Sequence, residues 1–294
     1  MKLCRFNQDR IGLVLGDKVS DITAIAAPLM ARQAGPGDAL VRSLPALRER
    51  LATATPDAGV ALASVRLCAP VGAPGKIIAA PVNYRAHVLE AHADPGIVHG
   101  HTQTDIGKAG LFLKANSSLV GPCDGIALRF PDRRNDYEGE LVVVIGTGGT
   151  DIPAADALSH VAGYAVGLDI TLRGPEDRSF RKSIDGYSVM GPWLTTADEI
   201  PDPDGLTLTT HQNGQLRQSA NTASMVYGVA RLIEFASSFY TLHPGDLIFT
   251  GTPEGVGPMS PGDILRVEIE GLGVLETVAR AHEKPGAANV PSAA

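Results

Sequence analysis

Apolar and polar residues alternate with a period of two along much of this chain, in short runs separated by glycine, proline and asparagine. That pattern predicts strands rather than helices. Residues 3–23 read as short strands, with Gly16-Asp17 turning between the runs 11–15 and 19–22. Further strands are predicted at 76–80, 111–114, 138–145, 163–169, 206–211, 215–219, 246–250 and 264–269. Asn213-Gly214 is a strong hairpin turn joining two of these. Residues 39–52 are weakly helical. The clearest helix spans 222–239, with a stripe of Met225, Val226, Val229, Leu232, Ile233 and Ala236 and with Asn221 as N-cap. The run Pro-Val-Gly-Ala-Pro-Gly at 70–75 breaks the pattern. It divides a small N-terminal domain, 1–70, from a main domain, 71–284, and a small-residue tail at 285–294 is expected to be disordered.

Many short strands and few helices predict a β-rich α+β barrel or roll, not the βαβ alternation of a doubly wound sheet. The glycines of Gly146-Thr147-Gly148-Gly149-Thr150 follow an apolar strand, yet the third glycine of a dinucleotide fingerprint would fall at Asp151. They read as a turn.

Composition narrows the class. Charged residues are 19% of the 294 and the net charge is −7, which is not the basic footprint of a nucleic-acid binder. Gly 33 and Pro 21 agree with abundant turns. Cys4, Cys68 and Cys123 are too few and too scattered for a disulfide framework or a zinc ribbon. With no apolar run of about 18 residues and no apolar leader, the expectation is a cytoplasmic protein without a membrane or nucleic-acid partner.

Three constellations carry candidate chemistry. Glu138 and Glu140 lie two apart on a strand, so they share a face about 7 Å apart. Such a pair suits a hard divalent cation, or else one glutamate is salt-bridged and the other solvated. Asp169 ends an apolar strand and is either a third oxygen ligand or a turn acid. His87 and Glu90 are three apart, so on a helix the carboxylate can orient the imidazole as a general base; a surface pair is the other reading. His92, His99 and His101 lack the spacing and the cysteines of a zinc site.

From about residue 74 to 278 the chain resembles the fumarylacetoacetate hydrolase family of Mg²⁺-dependent enzymes acting on 2-oxo and 2,4-dioxo acids. The motifs stand in family order: Pro74-Gly75-Lys76, Asn83-Tyr84 with His87 and Glu90, Phe112-Leu113-Lys114, Asp136-Tyr137-Glu138-Gly139-Glu140, Gly163-Tyr164 to Asp169, Lys182-Ser183, Gly191-Pro192-Trp193, Asn213-Gly214, Gly245-Asp246 and Gly251-Thr252-Pro253-Glu254-Gly255. The resemblance implies a mixed β-roll and a homodimer. It makes Glu138, Glu140 and Asp169 the metal carboxylates, with Mn²⁺ or Ca²⁺ as substitutes for Mg²⁺. It makes His87 and Glu90 a catalytic dyad and Lys182 a support for developing oxyanion charge. Tyr84, Lys114, Arg173 and Thr252 become substrate-binding candidates.

The implied reaction is hydrolysis of an acylpyruvate-type 2,4-dioxo acid to pyruvate and a carboxylic acid. Negative charge left as a pyruvate enolate is what the metal and Lys182 would offset. Decarboxylation or isomerisation of a 2-oxo dicarboxylic acid uses the same enolate, and a catalytically silent binding protein would have lost a metal carboxylate or the dyad. Four features depart from the family pattern or extend it. Residues 91–111 are long enough for a lid or a partner contact. Ala86 stands where an acid is common, and Glu254 adds a charge. Arg85, Arg173, Arg178 and Arg181 are available for a second substrate carboxylate.

Overall fold

The strand Gly139–Ile145 is buried along its whole length and faces two cores at once. Leu141, Val143 and Ile145 point into one, Val142 and Val144 into the other. A strand apolar on both faces belongs in the middle of a covered sheet. In the computed structural model, which describes residues 1–54, 57–98 and 106–282, that strand is central to a twelve-stranded sheet. It pairs antiparallel with Val161–Asp169 on one side and with Leu247–Phe249 on the other. Beyond Leu247–Phe249 come Ile77–Ala79, in parallel, and Phe112–Lys114. Beyond Val161–Asp169 come Ser188–Thr196 and then Lys2–Phe6, Arg10–Leu15 and Lys18–Asp21.

The residues before position 71 therefore add their strands to the sheet of the later residues. Their helices Thr23–Met30 and Ala39–Thr53 cover its second core through Ala26, Leu40, Val41, Leu44 and Leu47. Asp38 caps the longer helix by accepting from Leu40 N and Val41 N, and its other oxygen accepts from Gly72 N and Ala73 N in the Pro/Gly break. The first core is closed by a five-stranded sheet, in the order Gln215–Asn221, Thr207–Gln212, Ile264–Ile269, Gly273–Ala281 and Ile126–Leu128. A small third sheet joins Thr171–Leu172, Asn135–Tyr137 and Gly257–Pro258. This is the β-rich α+β architecture that the pattern predicts. Among the described residues no helix is long and apolar enough to cross a membrane.

The structure corrects several elements. The helix predicted at 222–239 begins only at Val229 and ends at Ser237. Asn221 caps just one 3₁₀ turn, Thr222–Ser224. Val226 and Tyr227 are instead held extended by Asn83, whose carbonyl accepts from Val226 N at 2.7 Å and whose Oδ1 accepts from Tyr227 N at 2.8 Å. Gly228 then caps the true helix, and Asp204 accepts from Val229 N. Met225 and Val226 thus leave the expected stripe, while Val229, Leu232, Ile233 and Ala236 keep it. The strand Ser188–Thr196 escaped the pattern because Gly191-Pro192 interrupts it and because nearly every residue is buried, which removes the alternation. Gly273–Ala281 escaped because Thr277 and Ala279 occupy inward positions beside Leu275. The tail at 285–294 lies outside the described residues.

Asn83 is fully buried and its amide also donates to Tyr227 O and Thr250 O, at 2.9 and 2.8 Å. Asn83→Ala leaves these buried groups unpaired. The expected outcome is a loss of about 2–4 kcal/mol in unfolding free energy, read from the urea midpoint at unchanged m-value. A midpoint within experimental error of wild type overturns this account.

Candidate active site

Two neighbouring strands cross from the large sheet to the small one at the same level. Asn135–Tyr137 belongs to the small sheet and Gly139–Ile145 to the large one, so Glu138 sits at the crossing rather than inside one continuous strand. Val161–Asp169 ends opposite it, and Asp169 N donates to Glu138 O at 2.9 Å. Gly139 is glycine for a steric reason, since a Cβ there would lie 2.3 Å from Thr210 Oγ1. Its N–H donates to Gln218 Oε1 at 3.0 Å.

The crossing brings the carboxylates of Glu138, Glu140 and Asp169 together, all three buried, with candidate ligand atoms within 4.8 Å of one another. Cations surround two of them. Lys182 Nζ donates to Glu138 Oε2 at 2.6 Å and to Asp169 Oδ2 at 2.7 Å. Arg173 Nη2 donates to Glu138 Oε1 at 3.0 Å, and Lys114 Nζ donates to Asp169 Oδ1. Burial alone would raise the Glu138 carboxyl, but Lys182 and Arg173 outweigh it and hold it well below the usual range. Among the described residues Glu140 makes no such ion pair, and it accepts from Gly251 N at 2.8 Å. Burial, reinforced by Asp169, pushes its carboxyl well above the ordinary value.

His87 stands across the cleft on the helix Arg85–Ala93. Its Nδ1 lies 2.8 Å from Glu90 Oε2, and Glu90 Oε1 accepts from Gly255 N at 2.9 Å. The dyad is therefore fixed by the loop that carries Thr252. Ala91 and Ile97 pack on Val256 of that loop and close one side of the cleft. Within the segment 91–111, residues 99–105 lie outside the described part, His99 and His101 among them. Asp94, at the helix end, starts a chain of ion pairs leading inward. Arg134 bonds Asp94 and Asp136, each at 2.8 Å, and Arg173 bonds Asp136 at 2.8 Å before reaching Glu138.

Four expected substrate-binding residues have different placements. Arg173 and Thr252 line the cleft. Thr252 Oγ1 accepts from Gln218 Nε2 at 2.7 Å, so Gln218 ties that loop to Gly139. Lys114 lies behind Asp169, fully buried, and also donates to Tyr187 O at 2.8 Å. Tyr84 is buried, its hydroxyl has no hydrogen-bond partner among the described residues, and it lines an adjacent groove with Arg85 and Glu254. Arg178, Arg181 and Phe112 join the cleft wall. Gln218 and the Asp136–Arg134–Asp94 chain carried no functional reading in the sequence. Gln218 fills the one buried position of the strand Gln215–Asn221, a burial that no local pattern in the sequence signals.

A family model described as fumarylacetoacetate (FAA) hydrolase, C-terminal, matches residues 76–279. The chain belongs to the fumarylacetoacetate hydrolase family. The maleylpyruvate hydrolase of Aquipseudomonas alcaligenes is 52% identical over 286 residues, covering 95% of this chain and 99% of that relative. The 2,4-didehydro-3-deoxy-L-rhamnonate hydrolase of Sphingomonas sp. (strain SKA58) is 35% identical over 93% of this chain and 94% of its own. A crystal structure of the maleylpyruvate hydrolase of Sphingobium sp. SYK-6, in complex with manganese(II) ion and pyruvate, matches with a TM-score of 0.80 at 36% identity, over 96% of this chain and 100% of that one.

The trio fits a divalent cation on its own chemistry. Oxygen atoms on opposite sides of an ion bound at 2.0–2.6 Å stand roughly 4–5 Å apart, which matches the observed spread. All candidate ligand atoms are hard oxygens, and Glu140 is a buried carboxyl still lacking a cationic partner. Mn²⁺ at about 100 times its dissociation constant is expected to stabilise the folded protein by about 2.7 kcal/mol, seen as a raised thermal midpoint. Glu140→Ala should cancel the rise. An undiminished shift in that variant removes Glu140 from the metal set.

Proposed function

We propose that this protein is a divalent-metal-dependent hydrolase of acylpyruvates, cleaving the C3–C4 bond to give pyruvate and a carboxylic acid. Maleylpyruvate is the favoured substrate, on the strength of the 52% identity to a maleylpyruvate hydrolase over almost the whole chain. The observation that carries the reading is that one cleft has the His87 base on one wall and Glu138 and Glu140 on another, with Asp169 completing the carboxylate trio just behind them. Mg²⁺ is taken as the physiological cation from the all-oxygen donor set. A cytoplasmic homodimer is taken from family membership.

Glu138, Glu140 and Asp169 would hold the cation. When bound, it supplies Lewis-acid stabilisation of negative charge developing on the 2-oxo group. Glu90 fixes His87 through Nδ1, which leaves Nε2 to take a proton from the attacking water. The water oxygen bonds to C4 and the C3–C4 bond breaks. Its electron pair passes to the pyruvate fragment as an enolate, and C3 takes up the proton that left the water through His87, which restores the neutral imidazole. Lys182 is held in place by two carboxylates and directs its positive charge at the fragment on which that charge develops. Ala91, Ile97 and Val256 exclude bulk water from this side and strengthen each of these interactions.

His87→Ala is expected to lower kcat by about 10²–10⁴-fold, the usual contribution of a positioned base, with Mn²⁺ binding retained. Wild-type enzyme given maleylpyruvate should release pyruvate and the carboxylic acid in equal amounts. Pyruvate without the matching acid, or CO₂ release from oxaloacetate as the faster reaction, would instead establish the decarboxylase or isomerase chemistry.

A further inference from the structure

The short helix Arg178–Lys182 places three cations on one side, because residues at i, i+3 and i+4 share a helix face. Lys182 reaches the carboxylate trio, and Arg178 and Arg181 line the cleft beside it. Phe180 points the other way and is 74% exposed. The phenyl ring of Phe112 lies under both ends of the set, 5.6 Å from the Arg178 guanidinium and 5.7 Å from Lys182 Nζ.

These arginines differ from every other cation of the centre. Arg173 pairs with Asp136 and Glu138, Lys182 with Glu138 and Asp169, and Lys114 with Asp169. Among the described residues Arg178 and Arg181 form an ion pair with no carboxylate. Among the described residues buried Arg181 donates only to Leu172 O, at 3.4 Å, and its Nε–H has no partner. Buried charges are ordinarily paired, and a guanidinium fork is shaped to hold a carboxylate by two parallel bonds. Burial depresses the pKa of both groups, and for Arg181 the neighbouring Arg173 adds to it, so an arriving anion meets cations short of compensation. The cleft wall as a whole carries four cationic side chains, Arg173, Arg178, Arg181 and Lys182, against two carboxylates, Glu138 and Glu140.

We propose that Arg178 and Arg181 form a second anion subsite, which receives the carboxylate at the far end of a dicarboxylic acylpyruvate. The proposal rests on the acylpyruvate reading above and names its specificity determinant. The 2-oxo acid end lies at the carboxylate trio with Lys182, and the acyl chain runs along the face of Phe112 to the two guanidinium groups. A substrate ending in a methyl group fills the first position and leaves the second unpaired. The enzyme thereby selects for a carboxylate-terminated acyl group by leaving buried donors unsatisfied in its absence.

The test compares kcat/KM for maleylpyruvate with that for 2,4-dioxopentanoate, which ends in a methyl group, in wild type, Arg178→Gln and Arg181→Gln. The ratio of the two values should fall at least tenfold in each variant, mainly through KM for the dicarboxylate, and Arg181→Lys should restore part of it. A ratio within twofold of wild type overturns the proposal, whether because both substrates suffer alike or because neither does. Arg178→Gln, on the less buried side chain, decides the matter if Arg181→Gln does not fold. Calorimetric titration of the Mn²⁺-loaded protein with maleate gives an independent reading, with at least tenfold weaker binding expected in the variants and unchanged affinity counting against the subsite. If wild type cleaves neither acylpyruvate, the reaction assignment fails while the maleate titration still decides the role of the arginines.

Discussion

Three carboxylates packed into a space nearly closed to water cannot remain there on hydrophobic packing. At an effective dielectric of about 20, two full negative charges roughly 5 Å apart repel by about 3 kcal/mol. Lys182, Lys114 and Arg173 offset that repulsion, and the fold is arranged to bring these cations in from separate elements. Lys114 comes from an outer strand of the large sheet, Arg173 from just beyond a short strand of the small sheet, and Lys182 from the helix between. Among the described residues Glu140 alone of the three forms no ion pair, and burial first, then Asp169, raises its carboxyl. A divalent cation placed there would supply the counter-charge that this buried carboxylate lacks.

The geometry of the cluster is inseparable from the registry of the sheets. Glu138 and Asp169 meet because two adjacent strands leave the large sheet at the same rung, tied by the Asp169 N to Glu138 O bond. A slip of one residue would turn both carboxylates into the opposite core and bring apolar side chains to the cleft. Gly139 and Gln218 guard this registry from behind. The glycine admits Thr210 at a distance no Cβ would allow, and the glutamine amide spans from the strand to the Thr252 loop.

Much of this was legible in the sequence because it rests on local periodicity. The strand at 264–269 and the hairpin at Asn213-Gly214 follow from alternation and turn chemistry, and the carboxylate pair follows from the two-residue repeat. The His87–Glu90 contact follows from helical spacing. Long-range partners were hidden. Asn83 redirects residues 226–227, 143 or more positions away, and so overrules an apolar stripe that on its own reads as a helix. The burial of Lys114 behind Asp169, which keeps it from the cleft wall, depends on the pairing of strands that no local pattern specifies. Gly191-Pro192 masked a nine-residue strand, because proline in a run ordinarily argues against a central strand.

The ion pairs running from Asp94 to Glu138 pass from half-exposed at the outer end to dry at the inner end. The Asp94 side chain is 39% exposed and that of Arg134 27%, while Asp136 is inaccessible and Arg173 nearly so. Water can replace a partner at the outer end almost without loss, whereas separation at the inner end strands a charge in the protein interior. The series therefore resembles a cable whose weakest link is the outermost. Loss of the outermost Asp94–Arg134 pair would leave the inner pairs to hold Glu138 in place.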